Sequence, residues 1–164
     1  MSIAELTARM IAYSKANLHD IDHFLRVWAY AGTIGRLEGL DAQTQYVLEA
    51  AALLHDIACP LCREKYGNTN GKLQEREGMV LAEDFLRQTD LPEEVRARIV
   101  FLVGHHHSFT DVDGIDWQIL LEADYIANAS ENGWSHAHVR NFLDRVANTP
   151  SGTALIRSVF GVEG

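Results

Sequence analysis

Histidines, several of them next to an aspartate, are the residues of this sequence best suited to chemistry. The chain of 164 residues contains eight histidines. Six of them, together with one further acid, mark four places in the chain: His19-Asp20-Ile21-Asp22-His23, His55-Asp56, His105-His106-His107 and Asp124. Asp56 and Asp124 interrupt the hydrophobic patterns LLHDIA and LLEADYIA. A buried carboxylate without a partner is costly, so each of these needs a cation, a strong hydrogen-bond network or a raised pKa.

A divalent metal ion bound by two imidazoles and two carboxylates would remove this cost. Mixed nitrogen and oxygen ligands suit Mn, Fe, Co, Ni or Zn better than Mg or Ca alone. His55 and Asp56 are neighbours on one predicted helix, so their side chains diverge by about 100° and an ion near the helix end can accept both. His23 and Asp124 must then come from two other helices, which a helical bundle can supply.

The elements that must position these residues are predicted to be helices. Apolar residues recur at three- and four-residue intervals through almost the whole sequence, and no segment has the alternation of a strand. We therefore expect an all-α fold, a bundle of about six to eight helices, with residues 1–164 forming a single domain. The predicted helices cover residues 3–17, 20–38, 41–59, 75–88, 92–106, 117–129 and 135–148, with a last one from 150. Residues 60–74 are predicted to form a polar loop.

Charge and composition limit the classes of partner. Lys plus Arg total 14 against 23 Asp plus Glu, a formal net charge of −9 that disfavours stable binding of a nucleic-acid polymer. A small anionic substrate remains compatible, because one metal ion outweighs a diffuse surface charge locally. No apolar stretch is long enough to span a bilayer and no signal peptide is recognisable, so we expect a cytoplasmic protein without a membrane partner.

The ordered set His23, His55-Asp56 and Asp124 resembles the signature of the HD-domain metal-dependent phosphohydrolases, in particular small stand-alone bacterial members. The flanking segments LHDIDHFLRV, AALLHDI and LEAD are similar to the family's ligand segments, and the resemblance extends from about His19 to Asn128. It implies hydrolysis of a phosphate ester or anhydride of a small metabolite, with a nucleotide as the favoured class. The alternative, that all four are core polar residues with satisfied hydrogen bonds, explains the ordered set less well.

The resemblance also implies catalytic roles. A bound divalent ion activates a water molecule and polarises a phosphoryl oxygen, and Asp56 would both bind the ion and orient that water. His105 and His106 resemble the family's later histidines, so either could protonate the leaving group or hold phosphate, with His106 the stronger candidate. Their alternative role is that of solvated residues at a helix end.

One departure from the family concerns the number of metal ions. Members with two ions usually carry a histidine on the helix after the HD dipeptide, where this sequence has Arg76-Glu77-Gly78. Glu77 could bind a second ion, act as a base or cap its helix. We expect one tightly bound ion and leave a second open. A di-iron oxygenase and a non-catalytic, metal-stabilised regulatory module are the alternative functions.

Residues for substrate binding are less certain from sequence. Arg26, Lys72 and Asn128 are candidates, with Lys65 beside Lys72 in the same glycine-containing segment, although solvated lysines on a loop are the simpler interpretation. Cys59 and Cys62 have the spacing of a redox pair, but ordinary buried thiols are expected.

Two apolar features have packing roles in this interpretation. The three tryptophans, Trp28, Trp117 and Trp134, are expected to pack in the core or at helix ends. The apolar face of the last helix would dock either on the core or on a partner, so a homodimer is left open.

Overall fold

Nine α-helices and no β-strands are present in residues 1–163, which a computed structural model describes. The helices are α1 Ile3–Tyr13, α2 Leu18–Leu37, α3 Ala42–Leu54, α4 Cys59–Tyr66, α5 Gly71–Leu86, α6 Glu93–Val103, α7 Ile115–Asn132, α8 His136–Arg145 and α9 Pro150–Phe160. This architecture confirms the all-α prediction. Within this range, no helix is long and apolar enough to cross a membrane.

The packing centres on α2, α3 and α7. Helix α2 packs on both α3 and α7, and α6 covers the other side of α3. Almost every residue from Asp116 to Ala127 on α7 is buried, so this helix is surrounded by protein rather than lying on the surface. These central helices carry the candidate ligands, and their shared apolar core fixes the position of the candidate site.

Helix α4 corrects the prediction that residues 60–74 form a loop. Pro60 lies in the first turn of this helix, where the missing amide hydrogen of proline costs nothing. The proline that was expected to end α3 therefore lies at the start of the next helix. Cys62 is fully buried. Gly67 ends the helix with a φ of 68°, and α5 then begins at Gly71, four residues earlier than expected.

The prediction that His55 and Asp56 lie on one helix is also wrong. Helix α3 ends at Leu54, His55 is its C-cap, and Asp56 lies in the turn that follows. The His55 ring explains this end, because its Nδ1 lies 2.8 Å from the carbonyl oxygen of Ala52, which has no amide partner in the helix. Helix α6 ends in the same way: it stops at Val103, and His106 Nδ1 lies 2.7 Å from the Val103 oxygen.

The C-terminal helices dock on the core through a buried acid. Glu122 of α7 is fully buried, and its Oε1 accepts hydrogen bonds from the amides of Asn148 and Thr149 at 2.7 and 2.9 Å. A side chain on Gly152 would place its Cβ 1.9 Å from Glu122 Oε2, so the close approach of α9 requires glycine here. Ile156 is fully buried against the core.

Candidate metal centre

Four predicted ligands from three parts of the fold meet at one point. His23 lies on α2, Asp124 on α7, and His55-Asp56 at the end of α3. His23 Nε2 lies 3.2 Å from both His55 Nε2 and Asp124 Oδ1. Asp56 Oδ2 lies 3.4 Å from His23 Nε2 and 3.6 Å from His55 Nε2, and Asp124 Oδ1 lies 3.4 Å from His55 Nε2. The structure therefore brings these four residues together.

In the neutral imidazole rings, the hydrogen bonds to Nδ1 leave Nε2 as the nitrogen that can bind a metal. Glu131 lies 2.9 Å from His23 Nδ1, and backbone carbonyls contact Nδ1 of His55 and His106. These partners can only accept, so Nδ1 carries the hydrogen in each neutral ring and Nε2 keeps its lone pair. Metal-binding histidines typically have such a partner on the other ring nitrogen.

The distances between ligand atoms suit a divalent ion. Ligands at about 2.1 Å from a metal lie about 3.0 Å apart at adjacent octahedral positions and about 3.4 Å apart in a tetrahedron. The measured separations of 3.2 to 3.6 Å lie close to these values. One further atom supports the fit, because the fully buried Nε2 of His106 has no hydrogen-bond partner within residues 1–163. Such an atom is expected beside a missing ligand.

The charges of the cluster shift the pKa values of its members. Burial lowers the pKa of His23, but the hydrogen bond to Asp124 and the charges of Asp56, Asp124 and Glu131 outweigh it and raise the pKa to about 10. Burial raises the pKa of Asp124, but its contacts with His23 and His55 hold that pKa well below the ordinary value. The carboxylates are thus ionised, and a cation at this point is strongly favoured, whether a proton or a metal ion.

His106 extends the cluster to a second group of ligands. Its Nε2 lies 3.4 Å from Asp56 Oδ1, the oxygen that faces away from His23. Asp56, His106 and His107 together present ligand atoms close enough to hold an ion, beside the first group of His23, His55 and Asp56. The two oxygens of Asp56 therefore face two different groups of imidazoles.

An open cavity of about 260 Å³, here called the metal cavity, gives access to the cluster. Its wall includes parts of α2, α4, α5 and α7, and the residues that line it are His19, Asp20, His23, Asp56, Cys59, Arg63, Thr69, Gln74, His107, Asp124, Asn128, Glu131 and Asn132. Asn128, one of the predicted binding residues, lies here, and its Nδ2 donates to Asp124 Oδ1 at 2.8 Å.

Other predicted residues lie outside this cavity. Glu77 accepts from the Tyr66 hydroxyl at 2.6 Å and from Arg76 at 2.9 Å, and these contacts lower its pKa to about 2. His105 turns its ring toward Phe101, with Nδ1 2.7 Å from the Phe101 carbonyl oxygen and the two rings stacked. The roles predicted for Glu77 and His105 therefore remain predictions without a contact to the ligand cluster.

The predicted cations are paired with acids. Lys72 Nζ lies 2.9 Å from Glu75 Oε2 and 3.2 Å from Ser108 Oγ, and Arg26 lies 3.5 Å from Glu131. Neither side chain lines the metal cavity.

Arg63, which sequence reasoning did not single out, is the cationic side chain that does line it, and it pairs with Asp20. It lies on α4, the helix that was predicted as loop.

Glu131 was missed as well, and His107 was named with its two neighbours but given no role. Glu131, which holds His23, lies seven positions after Asp124 and hence on the same face of α7, a spacing that could have revealed it. His107 Nε2 lies 3.1 Å from Gln74 Oε1, and burial together with nearby His106 lowers its pKa to about 4. Cys59 and Cys62 are both buried free thiols, as expected, and Cys59 reaches the cavity wall.

The fold and the site together define a helical bundle with a buried cluster of histidines and aspartates suited to a divalent metal. The family model for the HD domain matches residues 20–129, and the chain belongs to this family. The crystal structure of a predicted HD superfamily hydrolase from an uncultured Thermotogales bacterium is similar, with a TM-score of 0.66. That match has 19% sequence identity and covers 97% of this chain and 83% of the other, which shows a shared fold. No curated protein sequence matches the chain.

Proposed function

We propose that this protein is a metal-dependent phosphohydrolase that cleaves a phosphate ester or anhydride of a small metabolite, with a nucleotide as the expected substrate class. The observation that carries the proposal is the convergence of His23, His55 and Asp124 within 3.4 Å of one another at the base of an open cavity. Family membership supports the same conclusion.

His23, His55, Asp56 and Asp124 would hold the ion. When bound, a divalent ion lowers the pKa of a coordinated water toward neutrality and polarises a phosphoryl oxygen. Asp56 has one oxygen toward the ligand cluster and the other 3.4 Å from His106 Nε2. This carboxylate can therefore orient the attacking water and accept its proton, while His106 holds the carboxylate in place or donates to the leaving oxygen.

The substrate phosphate requires a cation at the cavity wall. Arg63 is placed there, with a side chain 41% exposed and a carboxylate partner, Asp20, from which it can turn. Asn128 adds an amide on the opposite helix, and His107 completes the wall. A cavity of about 260 Å³ suits a phosphate and the atoms attached to it, which favours a small substrate.

A metal analysis combined with a hydrolysis assay tests the proposal. Native protein loaded with Mn or Co should contain about one tightly bound equivalent and release phosphate from a panel of phosphate esters and anhydrides, nucleotides included. Asp56→Asn should abolish turnover, with a loss of at least a hundredfold. Asp84→Asn, at an exposed acid paired with Arg87, is the matched control and should behave as the native protein. Protein that carries metal but hydrolyses none of the panel would refute phosphohydrolase activity and favour the regulatory module.

The second group of ligands favours one alternative. Asp56, His106 and His107 could hold a second ion beside the first, as a di-iron oxygenase requires. Two equivalents of iron together with substrate-dependent oxygen consumption would support that activity. Glu77, the residue expected to complete such a site, instead binds Tyr66 and Arg76. The hydrolase is therefore the better supported function.

A further inference from the structure

A second cavity of about 340 Å³ adjoins the metal cavity and differs from it in chemistry. We call it the aromatic compartment, lined by Thr69, Gln74, His106, His107, Phe109, Leu121, Asp124, Tyr125, Asn128 and Trp134. Five of these residues, Thr69, Gln74, His107, Asp124 and Asn128, also line the metal cavity. A molecule whose phosphate lies in the metal cavity can therefore extend into the aromatic compartment across this shared wall.

Rigid aromatic rings form one side of the compartment. Tyr125 is stacked on Phe142 with ring centroids 3.6 Å apart, and its hydroxyl lies 2.9 Å from His138 Nδ1. Trp134 packs on His138, with ring centroids 4.4 Å apart, and lies 5.4 Å from the Tyr125 ring. Tyr125 is buried and Trp134 is partly exposed, so Trp134 is the ring, held in place by its contacts with α7 and α8, on which another flat ring can stack.

Trp134 differs from the other two tryptophans in its indole N–H. Trp28 donates to Glu49 at 2.7 Å and Trp117 donates to the carbonyl oxygen of His105 at 3.0 Å. In the part of the chain that the structure describes, Trp134 has no such acceptor. The Trp134 Nε1 is not among the fully buried atoms that lack a hydrogen-bond partner, so this donor is open to solvent and can reach a ligand in the compartment.

The compartment contains no Lys or Arg, whereas Arg63 lies in the metal cavity. A phosphate is accordingly favoured at the metal side, and the uncharged part of the same molecule at the aromatic side. Phe109, with 52% of its surface exposed, lies on the loop after α6 at the edge of the compartment. At the shared wall, Gln74 is hydrogen-bonded to Thr69 and His107, and Asn128 donates to Asp124 through its amide nitrogen. The amide oxygen of Asn128 is the group that can contact the edge of a heteroaromatic ring.

We propose that the aromatic compartment binds a planar aromatic group attached to the substrate phosphate, and that Trp134 selects for it. The inference rests on the proposed function for the position of the phosphate. Stacking of a ring on an aromatic side chain changes affinity by about 1.4 kcal/mol, which is about tenfold. Esters with an aromatic group should therefore bind about ten times more tightly than alkyl esters of similar size.

Two phosphonates, which hydrolysis cannot consume, test this selectivity by calorimetry on the metal-loaded protein. Benzylphosphonate should bind about ten times more tightly than butylphosphonate. Trp134→Leu should remove this preference and leave butylphosphonate binding within about twofold of the native value. Trp28→Phe, which changes a tryptophan outside both cavities, is the matched control and should keep the preference. Equal losses for both phosphonates in Trp134→Leu, or no loss for either, would overturn the proposal.

A second measurement separates this inference from the proposed function. The indole N–H signal of Trp134, assigned by its loss in Trp134→Phe, should shift in an NMR titration with benzylphosphonate, while the Trp28 signal stays in place. A shifted Trp134 signal in a protein that hydrolyses no phosphate ester would support ligand binding in the aromatic compartment and refute the proposed phosphohydrolase activity. Hydrolysis without a preference for aromatic esters, together with an unchanged Trp134 signal, would refute ligand binding in the aromatic compartment. The proposed phosphohydrolase activity would then still be supported.

Discussion

We expect Glu131 to determine how firmly His23 presents Nε2, the nitrogen proposed to bind a metal. The carboxylate is within 3.0 Å of His23 Nδ1 through both oxygens, and its side chain is 18% exposed. In Glu131→Gln, a neutral amide replaces the charge that orients the ring and increases the basicity of Nε2. Mutation of such a partner typically lowers metal affinity by about 10–100-fold. On that scale we expect Glu131→Gln to weaken binding by about 1.4 to 2.7 kcal/mol.

The assay is a competition titration in which a chelator of known affinity removes Zn or Mn from the protein at constant pH. Glu131→Gln should release the metal at a chelator concentration about 10–100 times lower than the native protein does. Glu94→Gln, at an exposed acid in the first turn of α6, controls for the loss of one negative charge.

Circular dichroism and the urea midpoint must show that Glu131→Gln still folds, because a collapsed helix would weaken binding for an unrelated reason. If the folded variant holds its metal as tightly as the native protein and Glu94→Gln do, His23 either is not a ligand or does not need Glu131 to orient it. That result would refute the argument from the imidazole hydrogen bonds.

Three further outcomes follow from other contacts. Gly152→Ala should lower the free energy of unfolding by about 1–3 kcal/mol in urea denaturation, because the new Cβ meets Glu122 Oε2; an unchanged midpoint would contradict this. Glu77→Gln should lower the free energy of unfolding at pH 7. Because the pKa of Glu77 is lower in the folded state, the ionised carboxylate stabilises the protein in full above pH 4.5 and loses this effect as the pH falls toward about 2. The difference in stability between the native protein and the variant should therefore shrink over that range. A pH-independent difference would exclude the ionised carboxylate as its cause. Arg63→Ala should raise KM for a phosphate ester at least fivefold with little change in kcat; an unchanged KM would remove Arg63 from phosphate binding.

The meeting of the four candidate ligands could be predicted from sequence because their order and their apolar surroundings are both visible there. Asp124 interrupts a helical hydrophobic pattern, and the helix it predicts is present as α7. Ser2 and Glu5, three positions apart, form a capping box at the start of α1, and both of its hydrogen bonds are present. In these cases a local pattern is sufficient to predict the helix, because the pattern depends on residues three or four positions apart.

Contacts between distant segments could not be predicted in this way. His106 and His105 are adjacent in sequence, yet only His106 faces Asp56, because the chain has left α6 and helical periodicity no longer fixes its direction. Arg63 was missed because polar residues with Gly and Asn nearby favour a loop, whereas burial of Cys62 stabilises α4. Such burial depends on the tertiary fold rather than on local propensity.

The hydrogen bonds that end α3 and α6 also have a consequence for metal exchange. Each ring is hydrogen-bonded to the backbone of its own helix end, so we expect its Nε2 to keep the same direction when an ion binds. Little conformational entropy is then spent on binding, and no rearrangement of the helices is needed for release. We therefore expect the rate of metal exchange to depend on the exchange of water and ligands at the ion itself. One preparation of the apoprotein should also bind several divalent metals in turn without a change in backbone conformation.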